Sequence, residues 1–450
     1  MTDCQPLRDL DDIRRIVTEH CFTTDHTCDH DRQVGIELET FPVRLGADGA
    51  PIDRIPIAQL HDLLDQPLSG AAASAVPGAD PAWTLVGGGS LTFEPGGQLE
   101  HSTAPHPGPA GALAELDALA GTLAAALQPH GGALAAAGLD VWTGGRVPQQ
   151  LTGPRYPAMA AYLARRGPYG AVMMRDSCAL QVNLDLGPPG ERAERWLVAN
   201  LVAPLACATF AASPAEGAVS GRALAWQRLD PTRTGFPAAL VSGRSDDPVE
   251  HLTGAALAAD VLLVRRAGRW VSGRPGWRFA DWLRAPHPDH GAPTEDDLRY
   301  HLTTLFTEVR PRGFLELRSV DALPVGLRDA PVLLLAGAID DATARARIRA
   351  VLEPYRARLP GLWCRAATVG VADPAVCALA VEVWSSALQG ATRFQPGRLP
   401  PGALTRTEAF LDRFTLRGRC PADELRAALA DGPPAALAWA TTPVDTPAPR

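Results

Sequence analysis

The sequence contains no lysine: all 42 positive side chains of the 450-residue chain are arginine. A phosphate loop ending in Gly-Lys-Ser/Thr, a Schiff-base enzyme and a pyridoxal enzyme each need an amine that guanidinium replaces poorly, so these three classes are excluded. Positive charge is also outnumbered, 42 against 50 Asp and Glu, for a net charge of −8. The arginines form no basic stripe, and nucleic acid is not an expected partner. The N-terminus, MTDCQPLRDLDDIRR, is charged where a signal peptide would have its apolar core, so a cytoplasmic chain is expected. The longest uncharged helical run, 196–210, is interrupted by Asn200 and Pro204. It falls short of the ~18–20 apolar residues of a membrane span, and no membrane partner is expected. Asparagine occurs only as Asn183 and Asn200 while Ala, Gly, Pro and Arg abound, which points to GC-rich coding. The eight cysteines follow no regular spacing, so no disulfide framework is expected. The one local cluster, His20, Cys21, His26, Cys28 and His30, matches no standard zinc spacing and reads as a polar link.

With 46% hydrophobic and 20% charged residues the chain has the composition of a globular protein able to bury a large core. Helices are expected at 5–22, 110–137, 155–166, 191–212, 249–266, 295–306, 329–353, 374–389 and 405–430. Residues 69–81 read as a loop and 441–450 as a disordered tail. There is no internal repeat and no compositional break that divides the chain.

Successive side chains of a strand point to opposite faces, so residues two apart share a face. Four segments obey this with one division of labour. Val34, Ile36 and Leu38 oppose Gly35, Glu37 and Glu39; Leu91 and Phe93 oppose Thr92 and Glu94. Leu180, Val182 and Leu184 oppose Gln181, Asn183 and Asp185; Leu315 and Leu317 oppose Glu316 and Arg318. Any one of these could be an ordinary strand with a solvated face, but such faces are usually mixtures of Thr, Ser and alternating charges. Here carboxylates cluster with amides and an arginine. An apolar face covered by helices and a polar face left open describes an antiparallel sheet in an α+β fold, its open face concave and holding the site.

Glu37 beside Glu39 is repulsive unless a cation, a proton or an arginine compensates. Carboxylate oxygens without His or Cys select hard cations, Mg²⁺ or Mn²⁺. Glu94 and Glu100 flank a Pro-Gly-Gly turn that lets both converge on one ion. Arg310, Arg312 and Arg318 surround Glu316, a guanidinium density suited to phosphates and carboxylates, with surface salt bridges as the alternative reading. A two-carboxylate glycosidase gives no reason for so many clustered charges.

Five segments in order carry a resemblance: VGIELE (34–39), FEPGGQLEHSTAP (93–105), MMRDSCALQVNLD (173–185), WQRLDPTRTG (226–235) and YHLTTLFTEVRPRGFLELRSVDALP (300–324). Together they resemble the glutamate-cysteine ligase family of the plant and bacterial type, within the glutamine synthetase-like carboxylate-amine ligases. The actinobacterial ligases of the ergothioneine pathway are the most similar branch. The resemblance implies a curved antiparallel sheet forming a funnel, with ATP and two or three Mg²⁺ at its floor and L-glutamate and L-cysteine as the other substrates. It implies metal ligation by Glu37, Glu39, Glu94, Glu100 and Glu316 and catalytic contacts from Arg310 and Arg318. Gln181, Asn183, Arg233, Arg310 and Arg318 would contact substrate or nucleotide. His101, Ser102 and Thr103 depart from the family's usual residues after the Glu100 motif, and Thr307 stands where a proline is common. One catalytic domain is expected over 1–440, with the motif core at about 30–325 and a helical part at 326–440. The implied reaction activates the glutamate γ-carboxylate as an acyl phosphate, which the cysteine amine attacks. A ligase using another amine, or a non-catalytic nucleotide or metal binder, would keep the same residues.

Overall fold

The computed structural model describes residues 5–23, 32–69, 82–142, 147–266 and 268–441, and the backbone of 72–75. His26, Cys28 and His30 of the His/Cys cluster and residues 442–450 of the expected tail lie outside the described residues. The strands in chain order are β1 (Val34–Leu45), β2 (Pro51–Arg54), β3 (Ala72–Ala75), β4 (Trp83–Leu85), β5 (Ser90–Phe93), β6 (Leu99–Ser102) and β7 (Gly132–Ala135). They continue with β8 (Ala179–Asp185), β9 (Thr234–Gly235), β10 (Leu263–Arg266), β11 (Arg269–Ser272), β12 (Phe306–Thr307), β13 (Val309–Pro311) and β14 (Phe314–Asp321).

Ten of them form one sheet in the order β13-β14-β8-β1-β6-β5-β4-β3, with β2 and β7 also paired to β1. Every pair in it is antiparallel; the only parallel pairing between named strands, among the described residues, is the short β9–β12 ladder. The 12-residue β1 is the hub: its first half lies between β8 and β6 and its second half between β2 and β7. The fold is α+β with a mainly antiparallel sheet.

The alternation in the sequence decides which face is covered. Val34, Ile36 and Leu38, Leu180, Val182 and Leu184, and Leu315 and Leu317 are all buried in one hydrophobic cluster. Against them lie the helices Arg192–Thr209 and Asp329–Asp340. From Arg195 onward every residue of the first is buried, as expected of a helix apolar on all sides inside a large core. A second cluster under β4, β5 and β6 is closed by the helices Ile57–Ser69 and Pro109–Leu127. The segment Pro109–His130 is the one helical stretch among the described residues long and apolar enough to cross a membrane. It packs on β1, β7 and the helix Ile57–Ser69.

Several expected boundaries move. Residues 72–75, expected in a loop, pair with β4. The apolar stretch expected to be helical to 137 ends at Leu127: Gln128–His130, with Pro129 at its centre, tightens into a single turn, and left-handed Gly131 leads into β7. The expected helix 249–266 stops at Ala258, and 263–266 becomes β10. The expected helix 329–353 is two helices, with the Asp341 side chain capping the second by accepting from the Ala344 amide. The expected helix 405–430 is likewise interrupted, at left-handed Gly418 and Pro421.

Helices Asp329–Asp340 and Pro374–Ala391 meet backbone to backbone through a glycine pair. A Cβ on Gly337 would lie 2.2 Å from the Ala387 carbonyl oxygen, and one on Gly390 would lie 2.4 Å from the Gly337 oxygen. Gly337→Ala is therefore expected to destabilise by about 1–3 kcal/mol, the range for overpacked cores. Gly254→Ala, in the helix Pro248–Ala258 with open space around it, should be neutral or stabilising by up to ~1 kcal/mol. Thermal unfolding of the two variants beside the parent checks both signs.

Candidate functional site

The strand registers bring the chemical residues into one stripe across the polar face, opposite the hydrophobic cluster. Arg310 of β13 pairs with Glu316 of β14, Glu316 with Asn183 of β8, and Asn183 with Gly35 of β1. One step along β1, Glu37 pairs with Gln181 on one side and Ser102 on the other, and Glu39 pairs with Glu100 of β6. Glu100 in turn pairs with Thr92 of β5. Glu94 follows β5 at the same parity as Thr92, where its amide donates to the Gln98 carbonyl at 2.9 Å and closes the hairpin. The sequence leaves parity across the Pro-Gly-Gly turn open; the hairpin places Glu94 and Glu100 on the same face.

Two ends of the stripe differ in charge. At one end Glu316 is fully buried and both its oxygens are taken. Arg310 Nε and Nη2 donate to it at 2.6 and 2.8 Å, Arg312 Nη1 at 3.0 Å and Arg318 Nη1 at 2.8 Å. Burial acts to raise its pKa, and the Arg310 and Arg318 charges outweigh that and hold it far below the ordinary carboxylate range. The resemblance makes Glu316 a metal ligand, but here its oxygens serve three guanidiniums. A register shift between Leu317 and Val320 interrupts the β14–β8 ladder beside Arg318. Arg318 Nη1 reaches the Gln181 Oε1 atom at 3.0 Å, and its guanidinium lies over the Trp226 ring at 5.2 Å.

At the other end four half-buried carboxylates have no guanidinium bonded to them among the described residues. Glu37 accepts from Asn183 Nδ2 at 2.9 Å, Glu39 from the Ala179 amide at 2.8 Å, and Glu100 from Thr92 Oγ1 at 3.1 Å. Burial first, and then neighbouring carboxylates, push Glu37 and Glu100 up to about 7. Burial also raises Glu39 to about 7, against the opposing charge of Arg222. Burial, Glu100 and Glu39 raise Glu94 well above the usual range. Asn183 Oδ1 is buried with no hydrogen-bond partner. Four carboxylates and an orphaned carbonyl oxygen, with no His or Cys among them, fit a hard divalent cation in donor chemistry. As placed, no three His, Cys, Asp or Glu side chains among the described residues stand close enough together to hold an ion.

Arg233 is not part of the stripe. It is buried, and its guanidinium donates to Asp230 Oδ2 at 2.9 Å, to the Thr304 carbonyl and hydroxyl oxygens at 2.9 and 3.1 Å, and to the Asp260 carbonyl. With its donors spent on holding 230–233 to 260 and 304, the expected ligand contact is replaced by a framework role. Two residues of the site escape the sequence pattern. Trp226 backs Arg318 and opens the segment WQRLDPTRTG, so its place in the family motif is a usable signal. Arg222 is buried, donates to the Arg318 carbonyl at 2.9 Å and acts electrostatically on Glu39. Nothing in its local sequence marks it.

A family model described as glutamate-cysteine ligase family 2 matches residues 33–438. The glutamate–cysteine ligase EgtA of Mycolicibacterium smegmatis is 35% identical over 353 residues, covering 76% of this chain and 78% of the relative. EgtA of Mycobacterium tuberculosis is 33% identical over 362 residues, covering 76% and 77%. The solved glutamate–cysteine ligase of Francisella tularensis in complex with AMP aligns over 91% of this chain and 87% of its own with a TM-score of 0.53. At 15% identity that is a likeness of fold. The chain belongs to glutamate-cysteine ligase family 2 and is an enzyme of that type.

Proposed function

We propose that the stripe joins the γ-carboxylate of L-glutamate to the amine of L-cysteine with ATP as co-substrate, giving γ-glutamylcysteine, ADP and phosphate through γ-glutamyl phosphate. The observation that carries this reading is the juxtaposition, on one sheet face, of a three-arginine fork with four carboxylates to which no guanidinium among the described residues is bonded. A carboxylate is a poor electrophile at neutral pH, and phosphorylation supplies its leaving group. Transfer of a phosphoryl group asks the protein mainly for positioning and charge neutralisation, with no covalent nucleophile. Arg310 and Arg318, held in fixed orientation by Glu316, Gln181 and Trp226, neutralise the transferred phosphate and orient the glutamate. Asn183 and Gln181 line the site between the two charged ends. Glu37, Glu39, Glu94 and Glu100 would hold two or three Mg²⁺, with Mn²⁺ as an alternative. The metal, when bound, supplies charge neutralisation on the nucleotide phosphates.

The likeness to the EgtA relatives supports a role in supplying ergothioneine synthesis, and dependence on ATP supports a cytoplasmic enzyme. Residues 1–440 would act as one catalytic unit. Support comes from the single hydrophobic cluster that joins β1, β8 and β14 to helices as far along as residue 440. A panel of amines offered to the purified protein with ATP, Mg²⁺ and glutamate tests the acceptor. Release of ADP and formation of γ-glutamylcysteine with cysteine is the expected outcome, and release with a different amine alone would defeat it.

Substitution tests the residue roles. Glu37→Gln or Glu100→Gln should lower turnover by about 100-fold or more, the scale on which single preorganised charge-stabilising groups act. Arg318→Lys should do so too, since an ammonium cannot keep the Gln181 and Glu316 contacts together with the Trp226 stack. Circular dichroism of each variant should match the parent.

The pH dependence has a definite sign. In the metal-free folded protein Glu37, Glu39 and Glu100 keep protons up to about 7, against an ordinary value of 4.5. The folded state therefore binds more protons than the unfolded state between these values, and its stability falls as pH rises through that window. A bound divalent cation removes the penalty by favouring the ionised forms. Thermal unfolding with and without Mg²⁺ should show a larger metal-induced rise in Tm at about pH 8 than at about pH 5.5. An equal rise at both would sink the assignment of these carboxylates to the metal.

A further inference from the structure

Glu94 is the one carboxylate of the stripe carried by a turn. The turn 94–98 ought to be its loosest support, yet it is tied down from three distant parts of the chain. Gln98 Oε1 accepts from the Gly96 amide at 3.0 Å, while its Nε2 donates to the Ser177 carbonyl at 3.0 Å. The Gln150 amide donates to the Pro95 carbonyl at 2.6 Å, and its side-chain Nε2 donates to the Gly96 carbonyl at 2.9 Å. Arg54, at the end of β2, donates from one nitrogen to both the Gly96 carbonyl at 3.2 Å and the Arg175 carbonyl at 2.8 Å.

Arg54 is itself held in place by buried partners. Its side chain is 2% exposed, its Nε donates to the buried Asp140 at 2.7 Å, and its guanidinium lies 4.3 Å over the Phe41 ring. Phe41 lies two residues beyond Glu39 on β1. Arg54 Nη2 and Asp176 Oδ1 face one another at 3.7 Å, neither with a hydrogen-bond partner. The turn has no slack on its other side. A Cβ on Gly96 would lie 2.4 Å from the Arg175 carbonyl oxygen, and one on Gly97, at φ +82, would lie 2.3 Å from Gln150 Nε2. Burying a guanidinium is costly, and here two carbonyls and two carboxylates compensate it, which fixes its position between the turn and 175–176.

We propose that Arg54, with Gln150, is a positioning residue of the metal-binding site: it fixes the turn 94–98 against 175–177, so that the Glu94 carboxylate is presented to the same ion as Glu100. This rests on the reading of Glu94 as a metal ligand. A group that orients a ligand typically affects metal affinity by about 10–100-fold when removed. It has no reason to alter the binding of glutamate at the arginine end of the stripe.

The test is Mn²⁺ binding to the purified full-length protein, measured by electron paramagnetic resonance, alongside steady-state kinetics at varied Mg²⁺. Arg54→Lys and Gln150→Ala should each weaken Mn²⁺ binding by about 10-fold or more and raise the Mg²⁺ requirement to match, with the KM for glutamate unchanged. A folded Arg54→Lys that binds Mn²⁺ like the parent overturns the proposal, as does an equal loss of kcat at saturating and limiting Mg²⁺. If Arg54→Lys does not fold, Gln150→Ala alone decides by the same criteria. Glu94→Gln is measured in parallel. Unchanged Mn²⁺ binding there removes Glu94 from the metal site and the proposal with it, whereas weakened binding there beside unchanged binding in both positioning variants defeats the positioning role only.

Discussion

The structure depends on keeping like charges close together on one face of the sheet. Glu39 and Glu100 are directly opposed across neighbouring strands, a pairing that costs free energy in an ordinary sheet. Such a pair persists only where the rest of the fold imposes it. The imposing element is the apolar side of the same strands: Ile36, Leu38, Leu180 and Val182 cannot leave the core, and a strand register is shared by its two faces. Slipping β1 by one residue against its neighbours would relieve the carboxylates only by turning the entire hydrophobic set outward. Burial of the core thus supplies the free energy that holds the acidic face in place.

A lysine-free chain must also meet every internal demand for positive charge with guanidinium, and the consequences reach beyond the site. Arg195, fully buried, joins Asp340 to the Asp185 and Ile339 carbonyls. Arg345 joins the Ile339 carbonyl to Glu191 and Glu194. Both link the helical C-terminal third to the helix Arg192–Thr209 or the end of β8. Each uses the planar fork to satisfy several acceptors at once, which an ammonium does less well. The same property makes a string of arginines hard to sort by sequence. Arg233 and Arg318 each lie in a family motif, yet one is spent on framework carbonyls and the other faces the stripe.

Much of the site is written in the period of the strands. β1, β8 and β14 follow the alternation read from their residues, and with it the common face of Glu37, Glu39, Gln181, Asn183, Glu316 and Arg318. What the period does not carry is partnership. Whether a carboxylate meets a cation or a guanidinium depends on cross-strand register, and Glu316 meets Arg310 because β13 folds back beside it. Arg54 and Arg222 are invisible to any local pattern, since their partners are 42 to 121 residues away for the one and 96 for the other. The shifted helix boundaries have a local cause: Gly131, Asp341 and Gly418 are caps or left-handed turns inside stretches whose composition favours helix throughout.

The separation of the stripe into an arginine end and a carboxylate end bears on how the proposed reaction could be directional. If both kinds of charge were intermixed, each arginine would neutralise a neighbouring glutamate and neither would be available to a ligand. Glu316 prevents this by acting as a local counter-ion: it is fully buried and accepts from all three guanidiniums, so they are fixed without being drawn across to Glu37 or Glu100. The four remaining carboxylates are left with a net negative field and raised proton affinity. In the proposed reaction, a substrate carrying phosphate and held by cations at one side and by guanidinium at the other would have one orientation across such a gradient. The asymmetry follows from register and burial, which set Glu316 among the three guanidiniums and apart from the other four carboxylates.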